Sequence, residues 1–535
     1  MSVDVRVLDD ARSSSRAREI ARERAWEIGL WSAMTLWSLV LFGIVRNAYS
    51  GYRLGRFDLG NMTQAVWSTA HGRPLEQTMN ETGEQVSRLA GHVDPFLALL
   101  APVWVVWPSP LSLALAQVVV VALGALPVFW LGRRHLESDR AAGLLALAYL
   151  AYPWIGTSAA GAIHPVTFAI TFLLFCVWAL DVRRLPLFAV FAALTMSTGE
   201  LMGLPIAALG IWYALARRER LAGALITVVG AAWTAIALYV IVPAFATGGS
   251  IFYGFYDNVG GSPVGVAKKL VTDPGTVLGA LVETQDIAYV LWLGIPLLFL
   301  FVLSPALAAV AVPQLLANGL SDFRSMTDPR YHSVAAIVPF LFAATVLGIA
   351  KFSPGRRTIA SAAVLTCCAT LTIVVGPWPR AVGAVPLGGR PKVAPARIAA
   401  LDAAVAMVPE DAAVTVSNSV GAHLSARRYV YSVPQVHRAT WAVVDLADPW
   451  TVRPGSPILT RTRAPNRSHV VPLIAIGTSG TCERSAKYAA PSLSGSRWSS
   501  IAPIRPSAAI ARTPPLPITA LTRRVASSRS FLPGL

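Results

Sequence analysis

Long apolar runs separated by short turns rich in arginine fill the chain between about residues 29 and 376. Because a helix needs about 20 apolar residues to cross a bilayer, these runs predict about eleven membrane-spanning helices, several of them short. We place them at 29–45, 111–132, 141–157, 165–180, 185–199, 201–216, 221–246, 287–303, 305–319, 333–350 and 358–376.

Two apolar stretches differ from simple crossings. The run over residues 95–107 is short and is followed by Pro108 and Pro110, which is typical of an interfacial or re-entrant helix. The stretch 185–216 is interrupted by Gly199 and Glu200. It predicts either two tilted crossings or a re-entrant pair that meets at these two residues.

After residue 376 the pattern changes to one that is typical of a soluble α/β domain. Residues 396–407 and 420–426 predict helices, whereas 413–417, 429–432 and 441–446 predict short strands. Since strands that alternate with helices usually form a parallel sheet, we expect a small α/β domain over residues 377–460.

Residues 461–535 form a basic tail that shows neither the apolar pattern of a helix nor that of a strand. They hold ten Arg and one Lys against one Glu, and so carry ten of the seventeen net positive charges of the chain. The abundance of Arg, Ser, Ala and Pro favours translation of a shifted reading frame of a GC-rich gene, and the alternative is a basic tail of low order. In both cases the high net charge does not indicate a nucleic-acid partner.

Composition places the chain in a membrane. Hydrophobic residues make up 54% of it and charged residues 14%, whereas soluble domains contain roughly 25% charged residues. We therefore predict an α-helical polytopic membrane protein and exclude a single soluble core. Residues 1–28 are polar and no small-residue cleavage site follows the first apolar run, so we expect a cytoplasmic N-terminal segment and a retained signal anchor in the plasma membrane.

The basic turns predict the orientation. Short loops rich in Arg and Lys stay on the cytoplasmic side, and four such turns lie near Arg133, Arg183, Arg217 and Lys351. With an odd number of crossings, the α/β domain is then extracytoplasmic. The same count places on the outer side the ionisable residues that remain near the apolar runs: Asp58, His92, Asp94, His164, Glu200, Arg330 and His332.

Two outer loops, 46–94 and 246–286, are long. The first holds more charged residues than a connector needs, and loops of this length are usually functional or disordered. The second mixes aromatic residues such as Tyr253 and Tyr256 with Lys268 and Lys269, and predicts a lid or a pair of interfacial helices.

Asp58 and Glu200 are the candidate catalytic carboxylates. Asp58 follows the first predicted span closely and can stand at the membrane surface as a general base; the alternative is that it caps the short helix after it. Glu200 interrupts an apolar stretch, where an unpaired acid is costly. We therefore expect Glu200 to have a partner such as Arg, His or a bound cation, and a structural carboxylate is the alternative.

His92, Asp94 and His164 are candidates for binding a substrate or its phosphate. His92 and Asp94 are two residues apart at the start of an apolar segment, and together with Glu200 they are the candidate ligands of a divalent cation, the one cofactor that we consider. Asp94 could instead act as a helix cap. His164, followed by Pro165, lies at the outer end of two predicted spans.

Arg330, Tyr331 and His332 form a further candidate cluster for a lipid phosphate, because they precede an apolar run at the predicted outer face. An Arg at the mouth of a helix can bind a phosphate through two parallel hydrogen bonds. The alternative is an Arg that extends to the lipid headgroups.

Five segments carry a resemblance to a known family: FDLGNMTQAVWSTAHGRPL, GHVDPFLALLAPVW, IHP at 163–165, GEL at 199–201 and RYHSVAAIVPF. They look like the bacterial and archaeal membrane proteins grouped as domain of unknown function 2079 (DUF2079), and the resemblance covers about residues 50–458. The family is similar in architecture to the integral-membrane C-type (GT-C) glycosyltransferases. Those enzymes take a sugar from a polyprenyl-phosphate carrier and use an acidic residue in the first outer loop.

The resemblance implies roles for particular residues. Asp58 matches the acid of the first loop, and the segment 330–332 looks like the basic cluster that meets the lipid phosphate. Where relatives show Lys-Glu-Asp, this chain has Thr198, Gly199 and Glu200, which argues against a pair of carboxylates at that point.

Our leading hypothesis is therefore glycosyl transfer from a polyprenyl-phosphate-linked sugar at the extracytoplasmic face. The first alternative is a transporter or flippase of a lipid-linked or amphipathic envelope substrate, which predicts inverted repeats and broken helices. The second is a non-catalytic membrane scaffold. The expected partners are membrane lipid and the sugar donor, and the sequence leaves the oligomeric state open.

Overall fold

The computed structural model describes residues 3–80, 82–246, 251–377, 393–448, 473–476 and 482–485, which are mostly helical. In the first half of the chain the α-helices are α1 Val3–Ser50, α2 Asn61–Ala70, α3 Ala101–Val106, α4 Pro110–Leu123, α5 Ala125–Leu136, α6 Asp139–Ala151, α7 Pro153–Ala160, α8 Pro165–Asp181, α9 Leu185–Met196, α10 Gly203–Ala216, α11 Arg220–Ile236 and α12 Val242–Phe245. In the second half they are α13 Pro263–Thr272, α14 Pro274–Ala280, α15 Thr284–Gly294, α16 Pro305–Ala308, α17 Val312–Gly319, α18 Val338–Ile349, α19 Pro354–Val375, α20 Pro395–Ala406 and α21 Asn418–Gly421.

Short helical turns of other types connect these helices. The π-helical turns are Arg56–Gly60 and Ala237–Ile241. The 3₁₀ turns are Arg88–Ala90, Pro95–Leu100, Glu200–Met202, Ile251–Val259, Ile295–Leu297, Leu300–Leu303, Ala309–Ala311, Arg324–Thr327, His332–Val334 and Ala422–Leu424.

Four of the described helical segments are long and apolar enough to cross a membrane: Ala25–Ser50, Pro110–Leu136, Arg220–Phe245 and Pro354–Val375. A bent pair, Pro274–Ala280 with Thr284–Leu297, makes a fifth if it is one span. Six further apolar helices have 10–17 residues: Pro95–Val106, Pro165–Asp181, Leu185–Met196, Glu200–Ala216, Pro305–Gly319 and Val338–Ile349.

The predicted count of eleven crossings is thus not confirmed. Prolines begin many of the shorter helices, as Pro153, Pro165 and Pro305 do, because proline fits the first turn of a helix and interrupts an earlier one. Pro165 and Pro305 coincide with the predicted starts of spans, whereas Pro153 divides the predicted span 141–157 into α6 and α7. The segment 95–107 is a 3₁₀ turn followed by α3, and the stretch 185–216 divides into α9 and α10 around Gly199 and Glu200.

The interior of the helical part is built on α8 and α18, whose side chains are almost all buried. α8 packs against α4, α5, α9 and α18. By contrast, only 28% of the apolar window of α11 and 17% of that of α19 is buried. These two helices therefore present apolar side chains outward, as helices in contact with lipid do.

Small residues bring α10 and α11 close together. A Cβ on Gly210 would lie 2.5 Å from the backbone nitrogen of Thr227, and one on Gly203 would overlap the carbonyl oxygen of Gly230. Close approach at Gly and Ala is a common way for helices to associate in a membrane, where no hydrophobic driving force acts between them.

The small α/β unit contains a five-stranded sheet in the order β4-β3-β5-β6-β7. The strands of the described residues are β1 Glu76–Thr78, β2 Gln85–Ser87, β3 Val414–Val416, β4 Val430–Ser432, β5 Trp441–Asp445, β6 Leu473–Ile476 and β7 Cys482–Ser485. β3, β4, β5 and β6 are parallel, β7 is antiparallel, and β1 and β2 form a separate hairpin.

The core of this unit joins α20 to the sheet through Leu401, Val414, Val443 and Ile474, which are fully buried. The predicted helix at 396–407 and the strands at 413–417, 429–432 and 441–446 all have counterparts here. The sheet extends beyond residue 460, where we placed the end of the domain, since β6 and β7 belong to it. The sequence did not predict these two strands because each has only four residues and lies inside a basic stretch. The rest of the predicted tail, including its origin in a shifted frame, lies outside the described residues.

Candidate functional site

The basic turns meet at one end of the helical bundle. The Asp181 side chain is 2% exposed and lies 3.0 Å from both Arg134 Nε and His135 Nε2, and it also accepts a hydrogen bond from Arg217. Arg183 pairs with Glu219 at 3.3 Å. Since Asp181 ends α8 and His164 precedes it, a rise of 1.5 Å per residue places His164 roughly 25 Å away, at the opposite end of the bundle.

At that opposite end Asp58, His164 and His332 come together. Asp58 Oδ1 lies 3.6 Å from His164 Nε2, and the His164 and His332 rings are stacked with their centroids 3.8 Å apart. The Asp58 side chain is 48% exposed and that of His164 is 20% exposed. A carboxylate and two imidazoles from three distant parts of the sequence thus form an accessible cluster.

The backbone conformation and backbone hydrogen bond of His164 fix its position. Pro165 begins α8 and keeps the preceding residue extended, with φ −135° and ψ 124°. The backbone N–H of His164 donates to Gln117 Oε1 at 2.9 Å, and Gln117 Nε2 donates to the carbonyl of Ala159 at 3.2 Å. These bonds orient the imidazole toward Asp58 and His332.

Arg330 and Tyr331 lie beside His332. Arg330 Nε donates to Asp328 Oδ1 at 2.8 Å and its Nη2 donates to Asp328 Oδ2 at 2.6 Å, so the guanidinium is fixed by a neighbouring carboxylate. The carbonyl of Tyr331 accepts a hydrogen bond from Ser158 at 3.2 Å. Burial, followed by the nearby His164 and His92, lowers the pKa of His332 well below its usual value, so its imidazole is neutral near pH 7.

Glu200 and His92 form a second pair next to this cluster. Glu200 Oε2 accepts a hydrogen bond from the backbone N–H of Val93 at 3.1 Å, and its Oε1 lies 4.0 Å from His92 Nδ1. The expected partner of Glu200 is therefore a histidine and a backbone amide. Although 42% of the His92 side chain is accessible, the surrounding protein and then Arg88 and His164 lower its pKa.

Asp94 has a different environment from the one that a metal ligand needs. Both of its oxygens accept from Arg88 Nε, at 2.9 and 2.8 Å, and Arg88 Nη2 lies 2.7 Å from Oδ2. Both residues are buried. Asp94 also makes no side-chain capping bond at the 3₁₀ turn that follows it. It is the counter-ion of Arg88.

The structure gives no support to a preformed cation site. Within the described ranges, no three His, Cys, Asp or Glu residues are placed so that they could hold a metal ion. His92 and Glu200 are adjacent, but Asp94 is engaged by Arg88. A divalent cation would therefore need substrate oxygens to complete its coordination.

Several residues around the site were not predicted from the sequence. Arg88 pairs with Asp94, and Asp328 holds the guanidinium of Arg330. Gln117 accepts a hydrogen bond from the backbone of His164. Arg56 is two residues before Asp58 and fully buried. The signal that could have found them is polarity within or beside apolar runs, which Gln117 shows most clearly.

The sequence model of a family described as "Predicted membrane protein (DUF2079)" matches residues 51–446. This range contains every candidate residue discussed above, from Asp58 to His332, and most of the α/β unit. No curated protein matches the chain.

Proposed function

We propose a function from the premise that this chain belongs to the DUF2079 family of predicted membrane proteins, whose model covers most of it. The proposal is that the cluster of Asp58, His164 and His332 transfers a sugar from a polyprenyl-phosphate donor to an acceptor hydroxyl. The observation that carries it is the accessible Asp58 carboxylate, 3.6 Å from an imidazole that is itself stacked on a second one.

In this proposal Asp58 is the general base. It takes the proton of the acceptor hydroxyl while the hydroxyl oxygen forms a bond to the anomeric carbon of the sugar. The bond from that carbon to the phosphate oxygen breaks, and the phosphate leaves with the electron pair. His164 Nε2 lies 3.6 Å from the carboxylate, slightly beyond hydrogen-bond distance. It would orient the carboxylate once the pair tightens around the bound substrate.

The departing phosphate would meet the segment 330–332. Arg330 carries a fixed positive charge beside His332, and Asp328 limits the motion of the guanidinium. Stabilising negative charge at the place where it develops is usually the largest electrostatic contribution to catalysis. Tyr331, next to His332 in the chain, is 45% exposed and would offer its hydroxyl to the same phosphate.

Glu200 and His92 would orient the sugar donor. The Oε2 atom of Glu200 accepts a hydrogen bond from the backbone N–H of Val93, which fixes the orientation of the carboxylate. If the reaction uses a divalent cation, His92 and Glu200 would hold it together with the donor phosphate, and the cation would neutralise charge on that phosphate. The Asp94 carboxylate is engaged by Arg88 and takes no direct part in this proposal.

We also propose the orientation that the basic turns predict. The site and the α/β unit would face the outside of the cell, the turns around Asp181 would face the cytoplasm, and the shorter helices would complete about eleven crossings. The support is that Asp181 and His164 lie at opposite ends of α8 and that the basic turns share the Asp181 end. The α/β unit would then contact the acceptor.

The test uses the purified full-length protein in nanodiscs with a radiolabelled polyprenyl-phosphate sugar and a panel of acceptor alcohols. Asp58→Asn keeps the size of the side chain and removes the base, so transfer should fall by about 10² to 10⁴. Asp257→Asn, which changes an exposed acid in the second loop, is the matched control and should leave transfer unchanged. Equal rates for the wild type and Asp58→Asn would reject Asp58 as the base.

A transporter or flippase is the second candidate, and one observation favours it. Two apolar stretches are broken, at 197–202 and again at 295–303, where Leu298 and Phe299 are both left-handed. Discontinuous helices are typical of transporters. Movement of a lipid-linked sugar across proteoliposomes without any covalent product would favour this function, and the absence of both movement and product would favour a scaffold.

A further inference from the structure

The π-helical turn Arg56–Gly60, which carries Asp58, is attached to the α/β unit through Arg56. The Arg56 side chain is fully buried, and its Nη2 donates to the carbonyl of Thr78 at 2.9 Å and to that of Val430. Its Nη1 donates to Ser432 Oγ and to Asn80 Oδ1. One guanidinium therefore joins the turn to the β1–β2 hairpin and to strand β4.

The backbone of the same turn lies against α21. The N–H of Phe57 donates to Asn418 Oδ1 at 3.0 Å. A Cβ on Gly60 would lie 2.6 Å from Ser425 Oγ, and one on Gly421 would lie 2.3 Å from the Arg56 side chain. The two segments are so close that glycine is required at both positions, which leaves the turn little freedom to shift.

A second polar contact reinforces the first. Gln64 Nε2 donates to the carbonyl of Arg428 at 2.8 Å, and its Oε1 accepts from the N–H of Thr78 at 3.0 Å. Thr78 Oγ1 accepts in turn from the N–H of Val430 at 3.1 Å. The hairpin, the sheet and the helix α2 that follows the turn are thus connected by buried hydrogen bonds.

From these contacts we infer that Arg56 is a positioning residue through which the α/β unit sets the distance between Asp58 and His164. This inference rests on the proposed function for its catalytic meaning, but its geometric content is independent of it. Asp58 is two residues from Arg56 in a five-residue turn, whereas His164 is held separately by Gln117 in the helical part. The position of the turn relative to His164 therefore depends on the bonds that Arg56 makes to the hairpin and to strand β4.

The geometric test is cross-linking in the full-length protein. Cysteines are introduced as Asp58→Cys and His164→Cys, and the rate of cross-linking by a short bifunctional thiol reagent is measured with and without Arg56→Gln. We expect Arg56→Gln to lower that rate roughly tenfold, because without the planar guanidinium the turn loses its hydrogen bonds to the hairpin and to strand β4. Arg428→Gln, which removes a partly exposed ion pair with Glu76 in the same region, should leave it unchanged.

The catalytic test uses single variants with both native site residues present. Arg56→Gln should lower kcat roughly 10²-fold with KM for the donor unchanged, since misplacement by about 1 Å has effects of that size. Arg56→Lys keeps the positive charge but not the planar guanidinium, so its kcat should lie between those of the wild type and Arg56→Gln. It also replaces the Gln variant in the test if that variant does not fold.

The two experiments separate failure of the inference from failure of the proposed function. If cross-linking depends on Arg56 but the wild type transfers no sugar, the positioning role stands and the transferase proposal fails. If the wild type transfers sugar while both cross-linking and kcat are indifferent to Arg56, the positioning role is wrong and the transferase proposal stands.

Discussion

The buried pair of Arg88 and Asp94 permits a prediction that does not depend on the reaction. Arg88 is 5% exposed and Asp94 3% exposed. Burial raises the pKa of the Asp94 carboxyl, which Arg88 opposes, so the carboxylate depends on this guanidinium for its charge. Asp94→Asn removes the negative charge but keeps one acceptor oxygen. It should therefore destabilise the fold by about 3–5 kcal/mol, because an uncompensated buried cation remains.

The assay is thermal unfolding in detergent, followed by tryptophan fluorescence. Glu219→Gln is the matched control, because Glu219 pairs with Arg183 at 3.3 Å but the two side chains are 39% and 73% exposed, and exposed pairs contribute about 1 kcal/mol or less. The double variant Arg88→Met with Asp94→Leu removes both charges and should recover most of the lost stability. If Asp94→Asn unfolds at the same temperature as the wild type, or if the double variant is worse than the single one, the account of this pair is wrong.

Two further predictions concern orientation and pH. A cysteine introduced as Pro74→Cys should be labelled by an impermeant reagent from outside the cell and one introduced as Arg218→Cys should not; reversed labelling would overturn the proposed sidedness. Burial between Tyr49 and Tyr52 lowers the pKa of His423 to about 4, so the unfolded state gains a proton first as the pH falls. The contribution of His423 should be complete above about pH 6.5 and decline by roughly 1.4 kcal/mol per pH unit between about 6.5 and 4. His92 and His332, whose pKa values burial also lowers, add to the decline in the same direction. His423→Phe should therefore make the decline in thermal unfolding between about pH 6.5 and 5 shallower by roughly 1.4 kcal/mol per pH unit, and an equally steep decline in the variant would show that His423 does not contribute.

The sequence predicted the secondary structure of the α/β unit well because its strands have clear apolar patterns between turn residues. The strands 414–416, 430–432 and 441–445 fall within the predicted ranges. It also selected Asp58, His164 and His332, which the structure brings together from positions more than a hundred residues apart. The selection was possible because ionisable side chains are rare and conspicuous beside apolar runs.

What the sequence could not predict is pairing at a distance and the interruption of helices. Nothing in the local pattern shows that Arg56 bonds to Val430 and Ser432, because these contacts arise only when the α/β unit packs on the first loop. The role of Asp94 was unpredictable for a similar reason, since its environment depends on the fold of residues 88–94. The sequence located the interruption of 185–216 at Gly199 and Glu200. It did not locate the break at 295–303, where two leucine-rich 3₁₀ turns replace a continuous helix without a local pattern to predict them.

The most direct test of the proposed site is a cryo-electron microscopy structure of the protein in nanodiscs that contain a polyprenyl phosphate. We expect density for the phosphate headgroup in contact with Arg330 and His332, with Asp58 and His164 on the adjoining side of the cluster. A headgroup bound instead at the basic end around Asp181, with no lipid density at Asp58, would contradict the proposed site.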